Sequence, residues 1–102
     1  MARALALPDT SEELYPGGAS VNREDRWMFS LKKDGEMIVL KLAWDDHDRL
    51  LAAHPEAILK TSHYEGYPAF LVRLDALTPT IADELLAASW EDAPNKAKRM
   101  PR

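Results

Sequence analysis

The stretch RWMFSLKKDGEMIVLKLA, Arg26 to Ala43, decides the fold. Two apolar runs flank Asp34-Gly35, a dipeptide suited to a two-residue type I′ turn because both positions accept a positive φ. Such a turn fixes a register: Lys33 opposite Glu36, Leu31 opposite Ile38, Phe29 opposite Leu40 and Trp27 opposite Leu42. All of these large apolar side chains then share one side of the ladder, as burial demands. A slip of one residue would put half of them in water. The stretch predicts a β-hairpin.

On its N-terminal side, Ala2 to Leu7 favours a short helix that Pro8 closes. Asp9 to Ser20, with Pro16-Gly17-Gly18, reads as loop and turn leading into a short strand centred on Ala19 to Asn22. After the hairpin, Asp45 to His54 predicts a helix with Asp45 as its cap, Leu50, Leu51 and Ala53 as its buried stripe, and Pro55 as its stop. Ile58 to His63 and Ala69 to Asp75 predict two more strands; in the second, Phe70, Val72 and Leu74 alternate as a half-buried strand requires. Thr78 as N-cap and Pro79 at the first helical position open a last helix, which buries Ile81, Leu85, Ala88 and Ser89, with Leu86 and Trp90 widening the stripe. The order predicts an α+β fold: a two-layer α-β3-α-β2-α sandwich whose five-stranded antiparallel sheet carries its helices on one face. Residues 1–94 form the single expected domain, and residues 95–102 a basic, frayed tail.

Composition narrows the function. The 102 residues suit one domain, and no apolar run approaches the ~20 residues that span a bilayer. The first residues lack a secretory apolar core, so a cytoplasmic protein is expected. With no cysteine there is no disulfide framework, thiolate nucleophile or cysteine-based zinc site. No G-x-S-x-G elbow and no glycine-rich phosphate loop occur, and adjacent Ser62 and His63 would point to opposite sides of a strand. His47 and His54 are two turns apart, too far to share a metal, and read as surface histidines. Asp45, Asp46 and Asp48 are accounted for by capping and the helix dipole rather than by an iron-binding ridge with Glu84. The expectation is a protein with no catalytic residues, cofactor, metal or small-molecule substrate.

The side of the sheet away from the helices carries the remaining information. It is expected to present Arg26, Met28, Ser30, Lys32, Met37, Val39 and Lys41 from the hairpin, and Leu71 and Arg73 from the last strand. Its charges are basic, whereas the acidic residues gather on the helices, although the chain as a whole carries −4. A solvated face with Lys and Arg stems lying over apolar neighbours accounts for these residues without any ligand. Two functional readings stand beside that one. Arg26, Lys32, Lys41 and Arg73 suit contacts with DNA phosphates, and four such contacts imply weak binding with a log–log salt slope of about −3 to −4. Alternatively, Met28, Met37, Val39 and Leu71 make the face apolar enough to dock a protein partner or a second copy of the chain.

The residues also carry a resemblance. Trp27-Met28-Phe29 through Val39-Leu40-Lys41-Leu42, Pro55-Glu56-Ala57, His63-Tyr64 and Phe70-Leu71-Val72-Arg73-Leu74-Asp75 resemble the MmcQ/YjbR-like proteins. Ala4-Leu5-Ala6-Leu7-Pro8 and Leu85-Leu86-Ala87-Ala88-Ser89-Trp90 are similar to the end of that family's first helix and to its last helix. The resemblance implies the same α-β3-α-β2-α domain, grouped with frataxin/CyaY-like and secretion-chaperone-like architectures. It also implies DNA binding of the double-wing type.

Overall fold

The computed structural model describes residues 2–16, 18–32 and 35–101. Gly17, Lys33 and Asp34 of the expected turns, and Arg102 of the expected tail, lie outside them. The elements are α1 (Ala2–Leu5), β1 (Thr10–Tyr15), β2 (Gly18–Arg23), β3 (Arg26–Lys32), β4 (Met37–Lys41), α2 (Trp44–Ala53), β5 (Ile58–Leu59), β6 (Ala69–Arg73) and α3 (Pro79–Asp92). Single 3₁₀ turns occur at Ser62–Tyr64, Leu74–Ala76 and Ala97–Arg99.

The fold is α+β, and its sheet is antiparallel throughout with strand order β1-β2-β3-β4-β6-β5. Six strands replace the five expected from sequence. The additional one is β1, read as loop because Thr10–Tyr15 shows no buried alternation. It is held by its ladder to β2, from Thr10 opposite Arg23 to Tyr15 opposite Gly18, and Leu14 on this edge is 81% exposed. β5 is shorter than expected, because His63 belongs to a 3₁₀ turn and not to a strand.

The central hairpin has the expected register, with Leu31 opposite Ile38 and Phe29 opposite Leu40. Gly35 takes φ +71° and donates its N–H to the Lys32 carbonyl at 2.9 Å, closing the turn. One departure reorganises the start of β3. Val21 pairs with Phe29, but its neighbour Asn22 pairs with Trp27, so Met28 is an extra residue on β3. A β-bulge of this kind resets the alternation of side chains. Met28 therefore joins Phe29 on the helix side, fully buried, and Trp27 goes to the other side. The expected pairing of Trp27 with Leu42 in the core does not form.

Core packing follows from that register. Val21, Met28, Phe29, Ile38, Leu40, Leu42, Phe70 and Val72 cluster with Leu50 of α2 and with Leu85 and Ala88 of α3. Each large side chain taken fully out of water there stabilises by about 1.5–3 kcal/mol. Ser89 of α3 donates its hydroxyl toward the carbonyls of Lys41 (2.6 Å) and Met28 (3.2 Å), which satisfies a buried polar group and ties the helix to both strands. Thr78 caps α3 as expected, its Oγ1 accepting the Ile81 N–H at 3.2 Å. α2 differs at its start: Ala43 takes the cap position in place of Asp45, and the Ala43 N–H donates to the Asp92 carboxylate at 2.9 Å. No helix among the described residues is long and apolar enough to cross a membrane.

Candidate nucleic-acid interface

Partners across an antiparallel ladder share a side. Ser30 lies opposite Val39, and Val39 opposite Leu71; Met37 pairs with Arg73 and Lys41 with Ala69. Lys32, Lys41 and Arg73 therefore share the side expected for them. That side has a small apolar centre of Val39, Ala69 and Leu71, over which Trp27, Met37, Leu59 and Tyr64 pack. Among the described residues, none of α1, α2 or α3 enters this second cluster. The Trp27 indole N–H donates to Ser30 Oγ at 2.8 Å, which fixes the ring on the same side.

The four predicted cations do not converge. Lys41 and Arg73 stand four residues apart along the β4 register, about 13 Å at about 3.3 Å per residue. Arg73 borders a cleft with Glu36, Met37 and Asp75 at the hairpin end, so its cationic field is offset by acids. Lys32, exposed, closes that end of β3. Arg26 precedes the bulge, yet it lines a cleft of about 410 Å³ with Trp27 and Lys41 at the opposite end of the sheet. The basic residues thus fall into two groups with the apolar centre between them.

The second group includes residues that sequence reasoning missed. The tail expected to fray instead packs here. The Arg99 side chain is only 6% exposed, and its guanidinium donates to the Ala93 and Trp27 carbonyls. Trp44 Nε1 donates to the Met100 carbonyl at 2.8 Å. Arg99 and Lys96 therefore border the same cleft as Arg26 and Lys41. Burial, more than neighbouring charge, sets the direction in which both cations shift. Burial, and then the Arg99 charge, hold the Lys41 ammonium below its ordinary range. Burial and Arg26 lower Arg99, while Asp92 pulls it the other way. The sequence signal was the run Lys96, Lys98, Arg99 beside an apolar Met100, a pattern equally typical of a solvated tail.

An aromatic cleft of about 360 Å³ adjoins the cationic one, sharing Trp27 and Lys41 and continuing to His63, Tyr64 and Tyr67. The His63 and Tyr64 rings meet edge-on at 4.7 Å, and Tyr67 is 51% exposed. Burial raises the Tyr64 phenol, with a smaller contribution from Tyr15.

The residues of the protein-docking alternative separate. Met28 is buried on the helix side and cannot contribute to an outer surface. Val39 and Leu71 are 3% and 8% exposed, already covered by their neighbours. Only Met37 of the four keeps appreciable exposure.

His47 is not a surface residue. It is buried between Trp44 and Phe70, with ring centroids 4.8 and 5.3 Å away. The Lys60 ammonium donates to its Nε2 at 3.0 Å, so the neutral ring carries its proton on Nδ1, facing Asp48 Oδ1 at 2.9 Å. Lys60 also donates to the carbonyls of Tyr67 and Ala69, which anchors the loop that carries the aromatic cleft. His54 meets Glu84 at 3.2 Å. Asp46 contacts Arg49 at 2.9 Å and shares a hydrogen bond with Asp92. Among the described residues no three acidic or histidine side chains are placed to hold a metal ion.

Comparison with protein-family models, with curated proteins and with solved structures finds no match to the chain.

Proposed function

We propose that this chain is a non-enzymatic, cytoplasmic protein of the MmcQ/YjbR-like type that makes weak contact with nucleic acid through the helix-free side of its sheet. The observation that carries the reading is the shared side of Lys32, Lys41 and Arg73, with Arg26 at its end and, among the described residues, no α-helical side chain in the apolar cluster at its centre. Phosphates are the ligand that such spaced cations suit, because each neutralised phosphate releases counterions without demanding a shaped pocket. The alternative, a homodimer formed through the same face, has less support, since Met28 is buried and Val39 and Leu71 are covered.

Titrating a labelled duplex at rising salt tests the proposal. Four phosphate contacts give a log–log slope of about −3 to −4. The double variant Lys41→Glu with Arg73→Glu reverses two exposed or half-exposed charges and should abolish binding while the melting curve stays that of a folded protein. Unaltered duplex binding in that variant removes this face as the site. A salt-insensitive dimer in light scattering, with no duplex bound, favours the alternative.

A further inference from the structure

We propose that the two clefts meeting at Trp27 and Lys41 form one site for a nucleoside phosphate unit, with the phosphate among Arg26, Lys41, Lys96 and Arg99 and the base against Trp27, Tyr64 and Tyr67. The proposal deepens the nucleic-acid reading and rests on it only in placing a phosphate beside Lys41.

Charge is the first support. The cationic cleft is bordered by Arg26, Lys41, Lys96 and Arg99 against a single acid, Asp25. Asp92 also faces Arg99, but its carboxylate already accepts the Ala43 N–H and shares a hydrogen bond with Asp46. Bringing four cations together in a partly dehydrated recess is unfavourable unless an anion joins them. An oxyanion relieves that repulsion where a water molecule does not.

The second support is a cation already held in place. Both terminal nitrogens of Arg99 are used on the Ala93 and Trp27 carbonyls, whereas its buried Nε has no hydrogen-bond partner among the described residues. The Arg99 charge therefore stands fixed at the wall of the cleft, where an oxyanion meets it without further ordering of the side chain; the Nε itself, sealed from solvent, makes no contact.

The third support is aromatic. Trp27 borders both clefts, and its indole edge is already held by Ser30 Oγ, so little ordering entropy is lost when a base stacks there. Tyr67, half exposed, and Tyr64 line the same recess, and a flat heterocycle fits such a set because every base has a π-face. A base paired inside a duplex cannot enter it. The ligand is therefore a free mononucleotide or an unpaired strand, not duplex DNA.

Binding is read by two-dimensional amide and indole NMR on the full chain at low salt, with AMP, adenosine, inorganic phosphate, a ten-residue oligothymidylate and a matched duplex as probes. AMP should shift the Trp27 indole signal and bind at least about tenfold more tightly than either adenosine or phosphate alone. Lys41→Gln and Arg26→Gln should each weaken AMP by about tenfold, and Arg49→Gln, on the exposed surface of α2 and outside both clefts, should leave it unchanged. Oligothymidylate that outcompetes AMP identifies an unpaired strand as the source; AMP that binds while oligothymidylate does not identifies the free nucleotide. AMP that binds no better than phosphate, or that leaves Trp27 unshifted, overturns the site. The two proposals fail separately: duplex binding without AMP binding removes only this one, and AMP binding without duplex binding removes only the other.

Discussion

The Trp27 indole N–H reaches Ser30 Oγ at 2.8 Å although the two residues are three apart in one strand. In an uninterrupted strand, residues three apart point to opposite faces. The contact exists because Met28 is inserted between the Val21–Phe29 and Asn22–Trp27 pairs. That insertion moves a tryptophan out of the core and a methionine into it.

Met28→Ala should therefore cost about 2–5 kcal/mol in chemical denaturation, as truncation of a fully buried side chain does. Ser30→Ala should cost only about 0.5–1.5 kcal/mol, the worth of one hydrogen bond, and should shift the tryptophan fluorescence. A Met28→Ala variant as stable as the parent would return Met28 to the outer face.

Two glycines separate steric from conformational need. Gly18 has φ +149°, and a β-carbon there would clash with the Leu31 carbonyl oxygen, in backbone that cannot give way cheaply. Gly18→Ala should lose at least about 2 kcal/mol or fail to fold. Gly35 has φ +71° with open space around it, so Gly35→Ala should lose only about 1–2 kcal/mol, and Gly35→Asn less. Thermal melts of the three variants rank them directly.

Asp92 sets a pH dependence. Burial first, then its hydrogen bond with Asp46, raise its carboxyl to about 6, above the ordinary carboxylate range. The folded state thus keeps a proton that the unfolded chain loses near pH 4, and this group's contribution is greatest at low pH and declines as pH rises from about 4 through about 6. Asp46 has the opposite sign. Burial raises it, but hydrogen bonds with Asp92 and Arg49 outweigh that and lower it, so its contribution is lost only as pH falls below the normal carboxylate range. Asp92→Asn keeps an acceptor for the Ala43 N–H and a donor for Asp46, and should flatten the stability profile between pH 4 and 6. A slope equal to the parent's would show that another group titrates there.

Glu24 occupies φ +55° in the two-residue turn between Arg23 and Arg26. Glycine takes that conformation without the ~1–2 kcal/mol penalty of a left-handed side-chain residue. Glu24→Gly should raise the melting temperature by a few degrees, in contrast to glycine substitutions in the strands.

What the sequence made legible follows from how each element is specified. The central hairpin, α3 and its Thr78 cap were readable because each is determined by local patterning: the Asp-Gly turn, the alternation of Leu31, Ile38 and Leu40, and a hydroxyl before a proline. β1 was hidden because an edge strand with five exposed residues in six has no periodic signal, only ladder bonds to β2. The Glu24-Asp25 turn was hidden because Glu24, its positive-φ residue, is not a type that normally announces one. Of the candidate site, the common side of Lys41 and Arg73 was legible, since alternation holds throughout β4 and β6. The role of Trp27 was not, because a bulge leaves no mark in the residues themselves. Nor was that of Arg99, whose partners are the carbonyls of Ala93 and of Trp27, seventy-two positions away.

The bulge gives β3 two reading frames. Residues on either side of position 28 obey opposite inside–outside rules, so pairing the strand straight through at the same length, without the bulge, would turn Trp27 toward the helices and Met28 away from them. The position of Trp27, and with it the aromatic wall of the cleft, depends on the spacing along β3 as much as on the amino acids that fill it.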